Sequence, residues 1–199
     1  MGLISPGGQN LLDFLELRQV LEGASAFFRR ALEYPENLQC APGADAGVAP
    51  QANLFLAECR EALGDAAGAR AALKAACAGW NHPGAMNFYR AEALVRLAKA
   101  EGRAPDAAAV KAELTALDGE IARLEKPFPK ELHASRKFFA GTSQKEAELA
   151  NRCQAKYLRG LKAFHEGRRD EAAKLFDEAV TGRPSLVWAA YWRTRCARP

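Results

Sequence analysis

Apolar positions along the chain recur at three- and four-residue spacings, the period of a helix that buries one face. The first such run predicts a helix from about Gln9 to Tyr34 on Leu11, Phe14, Leu15, Leu21, Phe28 and Leu32, with Gly23 a point where it divides in two. Pro35 ends it, because proline lacks the amide the next turn needs and pushes its predecessor out of the helical region. Residues 39–49 carry Gly, Pro and Ala without a period and predict a loop. Helix resumes over Gln51 to Leu63, breaks at Gly64 and Asp65, and continues to about Ala78 before the turn Asn81-His82-Pro83-Gly84. Met86 to Glu101 follows and is stopped by Gly102. Pro105, tolerated in a first helical turn, opens a helix through about Glu125. Along that helix Val110, Leu114, Leu117, Ile121 and Leu124 form an apolar seam suited to packing on a neighbouring helix.

The stretch Lys126 to Lys130 holds two prolines around Phe128 and predicts an extended connection, with a short helix over Glu131 to Phe139. Ser143 and Glu146 have the spacing of a capping box, in which each side chain satisfies a backbone amide of the other residue. The helix it opens should reach Glu166 and bury Ala150, Cys153, Tyr157, Leu161 and Phe164. Gly167 breaks it. Asp170 is expected to cap the next helix, to about Thr181, and Gly182-Arg183-Pro184 to close that one. Ser185 is expected to cap a last helix from Leu186 to about Ala197. The organisation expected is one helical domain over 1–199, with helix pairs over 1–125, a Pro-containing connection over 126–142, and a hairpin with a capping helix over 143–199.

Composition supports an all-α fold. Of 199 residues 42 are Ala, whereas Val, Ile and Thr together number 12, too few β-branched side chains to cover a pleated sheet. With 49% apolar and 26% charged residues and no long apolar run, the chain reads as a cytoplasmic protein with no membrane span. The net charge of +4 is unevenly placed: residues 1–150 hold 17 basic against 19 acidic side chains, and residues 151–199 hold 11 against 5. That C-terminal excess suits phosphate, RNA or an acidic partner, or else decorates the solvated faces of amphipathic helices.

Motifs of catalysis are missing. The chain has no HExxH, GxSxG, GxxxxGK[ST] or GxGxxG, and Gly141-Thr142-Ser143-Gln144-Lys145 follows no strand, so it reads as a helix N-terminus and not a phosphate loop. His82, His133 and His165 lie far apart, and Cys40, Cys59, Cys77, Cys153 and Cys196 form no CxxC pair. Reduced structural thiols, no metal, no cofactor and no enzymatic activity are therefore expected. An excess of Arg over Lys, 18 to 10, with abundant Ala and Gly, hints at a GC-rich bacterial genome.

Internal similarity adds a further layer. Shifting residues 57–79 by 103 places Gly64 on Gly167, Ala69 on Ala172, Ala76 on Ala179 and Leu73 on Phe176. Small residues at such positions let two helices cross closely, while a large apolar one fills the adjoining space. In the C-terminal unit Gly160, Ala163, Gly167, Ala172, Phe176, Ala179 and Pro184 run at successive spacings that match, and residues 153–186 therefore resemble, a tetratricopeptide repeat (TPR). Residues 50–83 share Ala57, Gly64, Ala69, Leu73 and Ala76 but have Asn81 near the closing proline position, and 5–38 and 88–121 share fewer positions, with Lys111 where a large apolar residue is expected.

The resemblance implies an α-solenoid of antiparallel helix hairpins whose groove, lined by the first helix of each pair, holds a peptide or partner helix. Its groove candidates are Leu54, Glu58 and Glu61; Tyr89, Glu92, Arg96 and Lys99; and Gln154, Tyr157, Leu161 and His165. The basic and amide residues of the family's carboxylate clamp are absent from these places, so the expected ligand is an apolar or amphipathic segment anchored by the tyrosines. On the last helix Trp188, Tyr191, Trp192 and Arg195 form a stripe suited to docking, to stacking or to homodimerisation, or else to capping the hairpin before it; we favour the cap. The implied function is a protein-binding adaptor, scaffold or chaperone, with nucleic-acid binding by the basic C-terminal region, or a non-catalytic subunit of a biosynthetic complex, as the alternatives.

Overall fold

The computed structural model describes residues 18–26, 29, 49–78, 84–127 and 144–197. Among the described residues the regular elements are all helices: α1 (18–26), α2 (Ala49–Ala62), α3 (Ala66–Ala78), α4 (Ala85–Ala100), α5 (Ala107–Glu125), α6 (Gln144–His165), α7 (Arg169–Gly182) and α8 (Val187–Cys196). The all-α class expected from the composition is thus the class adopted. Two compact units are formed, Met1–His82 with Tyr89–Val110, and Pro83–Phe88 with Lys111–Pro199. The loop expected at 39–48, the turn residues Asn81 to Pro83, the connection beyond Pro127, the short helix at 131–139 and Ser143 of the capping box lie outside the described residues.

In the first unit α2 and α3 form an antiparallel hairpin. Leu54, Leu56, Ala57 and Cys59 are buried on α2, and Ala69, Ala72, Leu73 and Ala76 on α3, so the alanines assigned to the repeat do lie in the core. The corner is made at Gly64, where φ is +80°. Its amide bonds to the Glu61 carbonyl at 3.0 Å and the Asp65 amide to the Arg60 carbonyl at 2.8 Å, which satisfies two carbonyls the helix end would leave unpaired. The Asp65 carboxylate then accepts the Gly68 amide at 2.8 Å and starts α3. The end of α4 repeats this arrangement 38 residues on, with Gly102 at φ +66°, bonded to Lys99, and Arg103 bonded to Ala98. Here the cap differs from expectation. Asp106 accepts the amides of Ala108 and Ala109 at 3.0 Å, so Pro105 precedes the cap and is not in the first turn.

The second unit is built on the α6–α7 hairpin. Tyr157, Leu158, Leu161, Ala163 and Phe164 of α6 are buried, as are Ala172, Phe176 and Ala179 of α7. A Cβ added at Gly160 would lie 2.5 Å from the Phe176 ring, and one at Gly182 would lie 2.5 Å from Cys153 Sγ. Gly160 is therefore required by the crossing itself. Gly167, at φ +78°, makes the same corner as Gly64, bonding to the Phe164 carbonyl while Arg168 bonds to that of Ala163.

Both C-terminal caps depart from expectation. With Arg168 already the second residue of the corner, α7 begins at Arg169, so Asp170 falls in the first turn, where its charge favours the helix dipole without capping. Similarly, Arg183 to Leu186 closes a turn through the Leu186 amide, 3.0 Å from the Arg183 carbonyl, and Leu186 precedes α8 in place of Ser185. The seam on α5 is also shifted. Glu113, Leu117, Ile121 and Leu124 are the buried positions, and Leu114 is only half-buried.

A pair of substitutions separates close crossing from simple helix propensity. Gly160→Ala should cost about 1–3 kcal/mol, because the Phe176 ring must move. Gly119→Ala, on α5 with nothing within 4 Å of the added atom, should stabilise by about 0.5–1 kcal/mol. Urea unfolding midpoints of the two variants should move in opposite directions.

Candidate functional site

Of the expected groove residues of the first unit, Glu58, Glu61 and Arg96 are brought together. Gln51 Nε2 on α2 donates to Tyr89 Oη on α4 at 3.0 Å, across 38 residues. Arg96 Nη1 donates to Glu58 Oε1 at 2.6 Å, again across 38 residues, and its other terminal nitrogen donates to Glu61. Two pairs with one separation, seven residues apart on each helix, mean that α2 and this part of α4 lie side by side and parallel. The corner glycines Gly64 and Gly102 keep the same separation of 38 residues.

Accessibility divides these residues. Leu54 and Tyr89 are core side chains, and Tyr89 packs edge-on against Phe55 with ring centroids 5.9 Å apart. The tyrosine expected to anchor a ligand is here spent on the interior, because its hydroxyl finds Gln51 and its ring finds Phe55. Glu58, Glu92 and Arg96 are half-buried, and Glu61 and Lys99 exposed, so what this surface presents is charged.

In the second unit Tyr157 and Leu161 are likewise core, with the Tyr157 ring 6.1 Å from that of Phe176, whereas Gln154 and His165 are half-buried. Phe88, in the first turn of α4, and Phe164, in the last turn of α6, lie 6.4 Å apart. Trp192 is buried against both, at 5.0 Å and 4.9 Å. This is capping geometry: α8 closes the end of the hairpin with an indole. The outer edge of the stripe differs, as Trp188 remains 41% and Val187 64% exposed. Arg195 donates to Tyr191 Oη at 3.0 Å, and Arg169 stacks on Phe164 at 3.7 Å.

One buried polar group escaped the pattern reading. Asn87 Oδ1 accepts the Gly84 amide at 3.0 Å, and its Nδ2 donates to Glu113 Oε2 at 2.7 Å. The first bond is half of a capping box, with Asn at the third helical position reaching back to the residue before the helix. That spacing was visible in the sequence; the match with Glu113 was not.

Five of the 11 basic side chains of residues 151–199 are held in ion pairs. Lys156 pairs with Glu178 at 2.8 Å, Arg159 with Glu125 at 2.7 Å, Lys162 with Asp118 at 2.6 Å and Arg193 with Asp177 at 2.7 Å. Arg168 holds both Glu166 and Glu171, which pushes its pKa up. Four cysteines are free thiols. Burial raises the pKa of Cys59 and of Cys196, which keeps both protonated and poorly nucleophilic. His82, His133 and Cys40 lie outside the described residues. Among the described residues no group of three or more His, Cys, Asp or Glu is placed to hold a metal, and no helix is long and apolar enough to cross a membrane. No family model matches the chain, and no curated protein or solved structure matches it significantly.

Acid should weaken the α6–α7 hairpin through one of these pairs. The Lys156 ammonium, by hydrogen bond and charge, lowers the Glu178 pKa below its ordinary 4.5. A carboxylate depressed in the folded state contributes stability that is complete above the unfolded pKa and is lost as pH falls through the folded one. Lys156→Gln should therefore flatten the fall in stability below about pH 5 while leaving the lowest-pH value near that of the parent, as read from urea midpoints across the acid range.

Proposed function

We propose that the chain is a non-enzymatic protein-binding module, a TPR-like stack of helix hairpins that holds a segment of its partner along the face shared by α2 and α4. What supports this reading is the repeated separation of 38 residues between Gln51 and Tyr89 and between Glu58 and Arg96. A translated hairpin is the building unit of solenoids that bind extended ligands, and 38 exceeds the TPR period of about 34 residues by one helical turn. The ligand class shifts with the burial of the tyrosines. Glu58, Glu61 and Glu92 outnumber Arg96 and Lys99 on this surface, and Arg96 is already held between two glutamates. A basic or basic-amphipathic segment fits it best, with charge setting register and rate of encounter.

Nucleic-acid binding by the C-terminal region has less support. Five of its basic side chains, Lys156, Arg159, Lys162, Arg168 and Arg193, spend their charge on carboxylates of the same unit. Adaptor, scaffold and chaperone roles share this surface chemistry, and a cytoplasmic setting accords with the free thiols.

Affinity capture from the source cells at low and at high salt tests the proposal. One protein partner should be recovered with the parent chain, less of it at high salt, and it should be lost with the charge reversal Glu61→Lys/Glu92→Lys while Lys174→Glu retains it. Retention of that partner by the double variant, with its helical circular dichroism intact, would sink the α2–α4 surface. Recovery of nucleic acid alone would favour the other reading.

A further inference from the structure

The end of α5 and the first half of α6 enclose a cleft of about 220 Å³ within the second unit. A cavity of about 150 Å³ is enough to admit benzene, so this one has room for one ring or short apolar stem and a charged head. Leu124 and Pro127 supply apolar wall. Lys126, Arg152 and the Asn151 amide supply donors, and none of the three enters an ion pair or hydrogen bond among the described residues.

By contrast, Lys156, Arg159 and Lys162 of α6 are each paired with a carboxylate. Glu125, which also lines the cleft, is already neutralised by Arg159 at 2.7 Å. Glu148 is the other carboxylate of the lining. The unit as a whole carries 18 basic against 12 acidic side chains, so the background potential favours an anion.

We propose that this cleft binds a small organic oxyanion, a phosphate monoester or a carboxylate borne on a ring or short apolar stem, with Arg152, Lys126 and Asn151 as its donors. Arg152 supplies the planar fork that suits two oxygens of one group, and Lys126 a second point charge. The bland account of Lys126, that it offsets the dipole at the end of α5, leaves Arg152 unexplained, since Arg152 stands well inside α6. The site is independent of the α2–α4 surface, and its failure would leave that reading standing.

Calorimetric titration of the full chain at low ionic strength, with phenyl phosphate, benzoate and inorganic phosphate as probes, tests this. Phenyl phosphate should bind more tightly than inorganic phosphate, with benzoate measurable and weaker. Arg152→Gln and Lys126→Gln should each weaken phenyl phosphate by about 5- to 10-fold. Lys111→Gln removes the same charge from α5 about 20 Å from Leu124 and should leave binding unchanged. All three side chains are exposed, so the variants should keep the parent's thermal unfolding profile. No heat with either organic anion, equal loss in all three variants, or equal affinity for inorganic phosphate would each overturn the proposal.

Discussion

Phe176 lies across Gly160 with no space left for a single methyl group, and much of the second unit is arranged around that contact. Helices approach this closely only if one of them offers backbone where a side chain would stand, and the gain is dense packing of a large ring on all sides. Once α6 and α7 are this close, Ala163, Ala172 and Ala179 become the only side chains small enough for the rest of the crossing, and all three are buried. The short corner through Gly167 and Arg168 then returns the chain, and the positive φ of Gly167 makes it. Ring, glycine, alanines and corner thus form one constraint.

A second constraint sets how α2 meets α4 in the first unit. Alanine faces slide easily, because a small smooth surface specifies distance better than register. Polar pairs correct this: Gln51 with Tyr89 and Glu58 with Arg96 are satisfied at one separation and broken at any other. Half-buried ion pairs of this kind contribute little net stability, since what they gain in attraction they lose in desolvation. Their effect is better described as choosing among packings of similar energy. In the second unit the buried bond between Asn87 and Glu113 acts alike, as a slip of either helix would strand a carboxylate away from water.

What could be read from the chain beforehand follows from which forces are local. Helix bounds and the glycine corners were legible, because periodicity, glycine and proline act within a few residues. The small-residue positions Gly160, Ala172 and Ala179 were legible too, since their spacing reflects contact inside one hairpin. The caps were less so: Asp106, not Pro105, begins α5, and Asp170 and Ser185 cap nothing, because the corner geometry decides which residue stands at the helix start. Tyr89 and Tyr157, which the resemblance places among the ligand anchors, are core. A tyrosine on a first helix looks the same in sequence whether its hydroxyl points to a ligand or to a buried Gln51, and only the long-range partner distinguishes the two.

Charge shows the same limit in a form that bears on function. A count gives residues 151–199 a surplus of six positive charges, and the count is correct, yet it does not describe a surface. Glu125 and Asp118, both on α5, reach Arg159 and Lys162 on α6, so part of the surplus is neutralised by acids that lie outside the window counted. A paired guanidinium must give up its carboxylate before it can take a phosphate, and that exchange returns little free energy in water. Cations without partners are therefore more informative than their total number. Lys126 and Arg152 are two such cations among the described residues, brought together by one cleft although neither belongs to any run of basic residues, and a reading based on charge density alone would pass over them in favour of the already paired Lys156, Arg159 and Lys162 of α6.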